Sequence, residues 1–549
     1  MVSQRRSKAR GLVDRLGGWY LGLRPESGSY TVEAVKIPLR DGISLAGDVY
    51  TPCLDRGREA CGTILVHGPY GRTLLTAITD ASLLAARGYR VVLVSCRGTF
   101  GSGGTFDPAR AEANDGQDIV EWMRGQPWWT GRFGTYGASY LGYTQWALLR
   151  DPPPELVTAS IAVGPHDYST HYWGTGSFRL DRISWSDMVA HQEDEGWSPK
   201  RGPLRLVVGN SKIKDVMRDL PLAPAVKSYF GTKAEWLDYP ITHSDITDEY
   251  YKPMQHNMAL ERLSVPILLT TGWFDPFLVQ TMDQYASISE RTNVGLTVGP
   301  WSHLPASGIS NLGEIFDWID EHLGQKGNSS RPDAVRIYVT GAEEWRGMKK
   351  WPPETKPQDW FLHAGQRLDT NEPAGELHYS SFTFDPSDPT PTIGGPHLVS
   401  KGRVEDSALA SRSDVLVFDS APLQDDLEIF GKPIITLHHK SDLPYADLWV
   451  RLSEVDRKGK SHNITEIYRR LDPKRAQNKV VKLSLYDTAH RFCKGTKIRV
   501  IVAGGSFPAF ARNLGTAENQ SLGDRLQAVK HTICHDGSSN SRIMLPVRC

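Results

Sequence analysis

Short apolar runs alternate with helical segments through the first 150 residues, and this alternation constrains the fold more than any other feature. Residues 31–52 alternate apolar and polar side chains around Asp41 and Gly42, which predicts a β-hairpin. The run CGTILVHGPYG follows, then a helix and a buried strand in ASLLAARGYRVVLVSCRG, and then a helix in DGQDIVEWMRGQPW. The segment RFGTYGASYLGYTQWALL predicts a strand, a tight turn and a helix. Strands that alternate with helices predict a mostly parallel sheet with helices on both faces.

The alternation is interrupted once and later gives way to a different pattern. We expect residues 30–150 and 256–345 to form one α/β domain, because the strand–helix pattern resumes at VPILLTTGWFD and NVGLTVGPWSH. Residues 151–255 mix aromatic, charged and helical stretches, which predicts a helical cap inserted into that domain. Residues 346–549 contain short β runs with regular turn signals, which predicts a C-terminal all-β domain, a β-sandwich or jelly roll.

One strand-to-helix turn has the residues of a nucleophile site. In GASYLG, residues 137–142, Ser139 stands between Gly137 and a second glycine one place later than in the common G-x-S-x-G form. Such a turn exposes a serine hydroxyl at the C-terminal edge of the sheet, and glycines are needed where backbones pass closely. The helix that follows directs amide donors toward a developing oxyanion. We therefore predict Ser139 as the nucleophile of a serine hydrolase.

Two later strand ends supply the partners that a serine nucleophile needs. A serine hydroxyl requires a base, which is oriented in turn by a carboxylate. In α/β-hydrolases these follow in the order Ser, Asp or Glu, His, each at the end of a strand. PILLTTGWFD ends at Asp275 and GLTVGPWSH ends at His303, with the helical segment QTMDQYASISE between them. The sequence thus predicts a triad of Ser139, Asp275 and His303.

An oxyanion hole needs two donors. One should be the backbone N–H of Tyr140, the residue after the nucleophile, and the other should come from the loop after an earlier strand. That loop runs from His67 to Gly71, where Tyr70 could donate through its phenol or its backbone. Packing of the loop is the alternative role for this side chain.

Seven segments together resemble the X-prolyl dipeptidyl-peptidase/cocaine esterase family of serine hydrolases. They are GPYGR, CRGTFGSGGTF, DGQDIVEWMRGQPWWTGRFGTYGASYLGYTQW, TGWFDPF, VGPWSH, DVLVFDSAPLQDDLEIFG and AGGSFPAFARN, and they extend over roughly residues 35–545. The resemblance implies an α/β-hydrolase fold with a helical cap and a C-terminal jelly-roll domain. It implies the triad Ser139, Asp275 and His303, and a side-chain hydroxyl of Tyr70 in the oxyanion hole.

The chain departs from relatives at two places. Ser95 stands where the family often has an aspartate, two residues before Arg97, which puts a structural ion pair in doubt. α-Amino-acid ester hydrolases carry additional carboxylates just after the catalytic aspartate to bind the substrate ammonium, whereas here Pro276, Phe277 and Leu278 follow Asp275. An ammonium beside these residues would be buried without a partner, which argues against a free α-amine near the acyl group.

Aromatic side chains offer candidates for an apolar substrate pocket, although packing is the commoner role of such residues. The candidates are Tyr172, Trp173, Phe178, Trp185, Trp273 and Phe274.

The triad permits more than one reaction. The first hypothesis is hydrolysis of a carboxylic ester through an acyl-enzyme on Ser139. An acyltransferase or thioesterase in a biosynthetic pathway would use the same residues. X-Pro dipeptidyl-peptidase activity needs an acidic site for the peptide N-terminus, which the sequence does not indicate.

Composition narrows the partners. Lys+Arg and Asp+Glu both number 63, so we expect a small-molecule ester or acyl substrate and no nucleic acid or membrane partner. Metal-ligand spacings are absent, and neither a metal nor another cofactor is expected. The basic N-terminal segment lacks the apolar core of a secretory signal, which favours a cytoplasmic protein, with a mitochondrial presequence as the alternative. The oligomeric state, a homodimer included, stays open.

Overall fold

An eleven-stranded sheet organises the N-terminal part of the computed structural model, which describes residues 4–55, 59–72, 75–194, 211–307, 309–324, 331–373, 378–475, 479–536 and 539–549. Its strands are β1 (Gln4–Arg5), β2 (Ser29–Pro38), β3 (Ser44–Cys53), β4 (Thr63–Gly68), β5 (Arg90–Ser95), β6 (Phe133–Ala138), β7 (Leu156–Ala162), β8 (Ile267–Phe274), β9 (Val294–Ser302), β10 (Val335–Val339) and β11 (Glu344–Met348). They are ordered β1-β2-β3-β5-β4-β6-β7-β8-β9-β10-β11. From β5 to β10 the neighbours are parallel, as predicted, and β2 and β3 form the predicted antiparallel hairpin.

Helices connect the strands and build the cap. They are α1 (Lys8–Tyr20), α2 (Leu75–Ala86), α3 (Glu112–Arg124), α4 (Tyr140–Leu148), α5 (Ser169–Trp173), α6 (Asp181–Ala190), α7 (Ser211–Arg218), α8 (Leu222–Phe230), α9 (Asn257–Arg262), α10 (Leu278–Ile288), α11 (His303–Ala306) and α12 (Leu312–His322). Helices α5 to α8, with 3₁₀ turns at Glu235–Leu237 and Glu249–Met254, form the cap. None of the helices within the described ranges is both long and apolar enough to cross a membrane.

Strand β7 lies inside the segment predicted as cap, 151–255, but belongs to the sheet between β6 and β8. Its side chains are almost all buried, because neighbouring strands and helices cover both faces. A strand of this kind shows a continuous apolar run and not the alternation of a half-exposed strand. The helical part of the cap therefore begins after Ala162.

The C-terminal part is a β-rich domain, as predicted. Its strands are β12 (Thr355–His363), β13 (Arg367–Asp369), β14 (His378–Phe384), β15 (Val415–Ser420), β16 (Leu427–Gly431), β17 (Ile434–Ser441), β18 (Asp447–Val455), β19 (Ser461–Arg470), β20 (Lys479–Ser484), β21 (Thr488–Phe492), β22 (Lys497–Ala503), β23 (Val529–Asp536), β24 (Ser539–Asn540) and β25 (Arg542–Arg548). Alternate residues of β18, such as Leu448 and Val450, enter the main apolar core of this domain. Trp449 lies between them and packs into a second apolar cluster, so both faces of the strand are covered.

The cap and the C-terminal domain are joined by backbone hydrogen bonds. The Leu180 N–H donates to the Ala509 carbonyl at 3.2 Å, and the Ala511 N–H donates to the Phe178 carbonyl at 2.8 Å. These contacts hold the start of α6 in place, and α6 supplies side chains to the site described next. No disulfide bond joins any two of the six cysteines, all of which lie within the described residues.

Candidate active site

Ser139 occupies a strained position between β6 and α4. Its φ of 58° and ψ of −120° lie in a region that side chains with a Cβ rarely adopt. The turn is tight because Gly137 and Gly142 allow close approach. A Cβ on Gly137 would lie 2.5 Å from the Leu141 Cβ, and one on Gly142 would lie 2.7 Å from the Gly164 Cα. The glycines of the sequence motif are thus required by the packing of this turn.

The structure brings Ser139, Asp275 and His303 together in one hydrogen-bonded chain. His303 Nε2 lies 2.9 Å from Ser139 Oγ, and His303 Nδ1 lies 2.6 Å from Asp275 Oδ2. The other carboxylate oxygen of Asp275 accepts the Phe277 N–H at 2.7 Å. With the Nδ1 proton donated to Asp275, Nε2 is free to accept the serine proton.

Sheet topology explains why these distant residues meet. Asp275 and His303 directly follow the adjacent parallel strands β8 and β9, and Ser139 follows β6, with β7 between them. Parallel strands end at the same edge, so three strand-end residues converge there. Burial raises the pKa of the Asp275 carboxyl, while the neighbouring His303 acts in the opposite direction. Asp275 is completely buried, so its carboxylate depends on that hydrogen bond.

Tyr70 lies beside the serine. Burial raises the pKa of the Tyr70 phenol, and hydrogen bonds with Trp185 and Ser139 partly offset this effect. The Trp185 Nε1–H donates to the Tyr70 hydroxyl oxygen at 3.1 Å. The phenol is therefore protonated at neutral pH, accepts one hydrogen bond from the cap, and has its own proton to donate.

Tyr140 offers its backbone amide from the first position of α4. The first four N–H groups of a helix have no partner within that helix, so this amide is available to an oxyanion. Its ring stacks on the Trp185 indole, with centroids 5.8 Å apart and planes 9° apart. Its hydroxyl donates to the Glu112 carboxylate and accepts the Ala109 N–H at 2.6 Å. Trp185 thus contacts both residues that the sequence predicts as oxyanion donors.

Sequence reasoning did not identify Glu112. Burial raises the pKa of the Glu112 carboxyl to about 7, although the hydrogen bond from Tyr140 lowers it. The residue stands in the first turn of α3, where an acidic side chain is common and gives no signal of a buried site. Only the packing of α3 against α4 shows that it anchors the Tyr140 ring.

A buried ionic cluster in the cap was also not foreseen. The Asp181 carboxylate lies 2.9 Å from Arg179 Nη2 and 3.2 Å from His171 Nε2, and its pKa is lowered well below the usual value by these neighbours despite burial. Arg182 donates to the Tyr168 hydroxyl and lies 5.0 Å from the Trp185 ring centroid. Trp185 therefore lies beside a cation, and the Asp181 carboxylate of the same cluster is already paired.

Three cap aromatics that were predicted to line the pocket pack within the cap. The Trp173 and Phe178 ring centroids are 5.3 Å apart, and those of Tyr172 and Phe178 are 6.1 Å apart. The Trp173 Nε1–H donates to the Pro240 carbonyl at 2.6 Å. Trp185, the fourth cap candidate, is the one that contacts Tyr70.

The two candidates on β8 point elsewhere. The Trp273 Nε1–H donates to the Tyr338 carbonyl at 2.7 Å, and its ring lies 5.4 Å from that of Trp351. Phe274 packs near Gly402 of the C-terminal domain. Both side chains pack in the interior, and a role in substrate binding stays a prediction for them and for the cap aromatics.

The departures from the family pattern have visible consequences. Ser95 accepts a hydrogen bond from Arg72 Nη1 at 2.6 Å, and Arg72 Nε lies 3.3 Å from the Asp48 carboxylate. An ion pair is thus present in this region, although Ser95 itself is neutral. The Phe277 ring lies 5.5 Å from His303, so an apolar surface adjoins the histidine. Across the described residues, no three potential metal ligands are grouped together.

An α/β-hydrolase fold with an Asp–His–Ser chain at its strand ends defines a serine hydrolase. Residues 41–305 match the model of the X-Pro dipeptidyl-peptidase (S15 family), and residues 328–544 match the C-terminal non-catalytic domain of X-Pro dipeptidyl-peptidases. The chain belongs to the X-prolyl dipeptidyl-peptidase/cocaine esterase family of serine hydrolases, as the sequence motifs predicted.

Individual relatives cover nearly the whole chain. Cocaine esterase of Rhodococcus sp. (strain MB1 Bresler) is 26% identical over 585 residues, which cover 95% of this chain and 99% of that protein. An aminopeptidase from the marine sediment archaeon Thaumarchaeota archaeon has a TM-score of 0.81 at 21% identity, covering 96% of this chain and 98% of its own. An α-amino acid ester hydrolase has a TM-score of 0.80 at 21% identity, covering 95% and 97%. The two structures establish the shared fold.

Proposed function

We propose that the protein hydrolyses a carboxylic ester of a small molecule through an acyl-enzyme on Ser139. The observation that supports this most directly is the chain of hydrogen bonds from Asp275 through His303 to Ser139 at a strained turn. The similarity to cocaine esterase, whose name states that it acts on an ester, supports the same class of substrate.

In the proposed reaction Ser139 Oγ attacks the acyl carbon, and its proton passes to His303 Nε2. Asp275 accepts the Nδ1–H, holds the productive tautomer and stabilises the imidazolium. When the tetrahedral intermediate collapses, the bond to the leaving alkoxide breaks and the histidine returns its proton to that oxygen. A water molecule then attacks the acyl carbon, gives a proton to Nε2 and releases the acid, and Ser139 Oγ is protonated again.

The proposed oxyanion donors are the Tyr70 hydroxyl and the Tyr140 amide. A hydroxyl that accepts the Trp185 N–H at 3.1 Å has one lone-pair direction occupied, which restricts the rotation of its own proton. Hydrogen bonds in series also polarise one another, which makes the phenol a better donor. We therefore assign Trp185 a positioning role at the oxyanion hole.

The surroundings favour an acyl group without a free α-amine. Phe277 presents an apolar ring to His303, and the buried Asp181 is already held by Arg179 and His171. A substrate ammonium would have to be desolvated without a free carboxylate among these residues, which is costly. This also argues against X-Pro dipeptides, whose N-terminus must be bound.

The test is a substrate panel with aryl esters, alkyl esters, thioesters, an α-amino ester and X-Pro anilides, together with titration by a fluorophosphonate. We expect stoichiometric labelling of Ser139 and turnover of neutral esters above the other classes. Preference for the thioester would indicate a thioesterase. An acyltransferase would be indicated if added alcohols, and not water, accounted for most of the breakdown of the acyl-enzyme. Turnover of X-Pro anilides above esters would contradict the proposal.

A further inference from the structure

Helix α1 presents its apolar side chains to solvent. Five large apolar residues are more than half exposed: Leu12 at 54%, Val13 at 58%, Leu16 at 57%, Trp19 at 81% and Tyr20 at 81%. Positions 12, 16, 19 and 20 recur at the spacing of one helical face, and 13 borders it. A surface helix normally turns such a face toward the core. The contacts that attach α1 to the rest of the protein therefore leave this apolar face exposed.

The opposite face of α1 is polar and holds the helix in this orientation. Asp14 is buried, and its carboxylate accepts hydrogen bonds from the Tyr30 hydroxyl at 3.1 Å and the Ser82 hydroxyl at 3.0 Å. The same carboxylate pairs with Arg6 and Arg10 at 3.0 and 2.9 Å. Rotating the helix to bury its apolar face would leave these charges unpaired, which is strongly destabilising.

A basic groove borders the same helix. It has a volume of about 840 Å³, and its lining includes Trp19, the carboxylate Glu26 and the cations Arg6, Lys8, Arg15, Arg24 and Arg87. Glu26 is hydrogen-bonded to Arg6 at 2.6 Å. Arg24 is paired with Asp320 at 2.5 Å, and the buried Arg87 guanidinium donates to the Arg24 and Leu83 carbonyls. The exposed cations of the groove are Lys8 and Arg15. The groove thus has an excess of positive charge beside exposed tryptophan.

We propose that α1 and this groove form a docking surface for a membrane that contains anionic lipids. An interfacial helix combines Trp and Leu on one side with Lys and Arg at its flanks, and lies flat at the level of the headgroups. Trp19 and Tyr20 would enter the interface, and Lys8 and Arg15 would meet the phosphates. This surface is separate from the proposed ester hydrolysis.

Charge distinguishes a membrane from a second copy of the chain. Within residues 4–20 the exposed charged residues are Arg5, Lys8 and Arg15, whereas Asp14 is buried. Two copies related by a two-fold axis would place these cations against each other, which is unfavourable without a carboxylate to pair them. A lipid surface supplies the negative charge. The formal net charge of zero, which favoured no membrane partner, conceals this local excess.

The experiment is flotation of the full chain with vesicles of phosphatidylcholine alone and of an equimolar mixture with phosphatidylglycerol. We expect the chain to bind the mixed vesicles, and to bind less at high salt because exposed charges are screened. Lys8→Gln with Arg15→Gln should weaken partition about 25-fold, since each basic residue near an anionic surface contributes about a factor of five. Leu16→Ser with Trp19→Ser should weaken it more than about tenfold.

Leu522→Ser with Tyr379→Ser is the matched control, because these apolar residues of the C-terminal domain are 53% and 55% exposed. The control should float like the parent, and thermal unfolding should show that all variants are folded. Failure of the parent to bind mixed vesicles, or equal loss in the control, would overturn the proposal. So would a dimer in sedimentation velocity that the α1 variants convert to monomer. None of these three outcomes depends on catalysis.

Discussion

Replacing Tyr70 by Phe removes a single oxygen from the proposed oxyanion hole. The phenol lies beside Ser139 and accepts the Trp185 N–H, so its proton is the one group positioned to meet a developing charge from that side. Loss of one oxyanion donor costs about 2.7–4 kcal/mol of transition-state stabilisation, or roughly 10²–10³ in kcat. KM should change little, because the ground-state carbonyl gains little from this bond.

The hydrogen bond from Trp185 to Tyr70 allows a second measurement. Trp185→Phe keeps an aromatic ring against Tyr140 but deletes the hydrogen bond to Tyr70, so kcat should fall by about 2- to 10-fold, the usual net value of one hydrogen bond. In the Tyr70→Phe background the same change should alter kcat less than about twofold, because the acceptor is already absent. Steady-state kinetics on one aryl ester suffices for all four proteins.

Trp236→Phe is the matched control for the loss of an indole N–H. The Trp236 indole N–H donates at 3.0 Å to the hydroxyl of Ser186, and Ser186 lies on the same helix as Trp185. The Trp236→Phe variant should therefore have a kcat near that of the parent. The reasoning would be refuted if Tyr70→Phe left kcat unchanged. It would also be refuted if Trp185→Phe were equally damaging with and without the Tyr70 hydroxyl, because its role would then be general packing.

Further predictions concern the remaining site residues. Asp275→Asn should lower kcat by about 10⁴-fold through the wrong histidine tautomer, measured on the same ester, and a small effect would exclude Asp275 as the orienting carboxylate. Ser139→Ala should abolish fluorophosphonate labelling and turnover while thermal unfolding stays close to that of the parent. Glu112→Gln tests the raised pKa of about 7, caused mainly by burial. The folded protein then holds a proton that the unfolded chain releases near pH 4, so the parent should lose about 3 kcal/mol of stability as pH rises from 4 to 7. The Glu112→Gln variant has no carboxyl to titrate here, so the melting temperature of the variant minus that of the parent should increase from pH 4 to pH 7. A difference in melting temperature that does not change with pH would contradict the raised pKa of Glu112. Treatment with EDTA should leave ester turnover unchanged, and a loss restored by zinc would contradict a metal-free reaction.

Much of the architecture could be predicted because it depends on local patterns. Apolar runs, glycine turns and strand–helix alternation are properties of neighbouring residues, so the hairpin, the parallel strands and the C-terminal β domain were predictable. Strand β7 was missed because a strand covered on both faces lacks the alternation by which strands are recognised. The triad Ser139, Asp275 and His303 could also be inferred from local patterns, because each residue follows a predicted strand and parallel strands end at the same edge of a sheet.

Only the tertiary structure shows which residues surround the hydrogen-bonded triad of Ser139, His303 and Asp275. The link from Trp185 to Tyr70 joins positions 115 residues apart, and the short contact of Tyr140 with Glu112 spans 28 residues, with no local pattern to indicate either. The same holds for α1. Its amphipathic sequence determines that one face is apolar, but the buried charge pairs of Asp14 determine that this face points outward. Local sequence sets which side chains share a face, whereas long-range packing and the cost of burying unpaired charge decide where that face is directed.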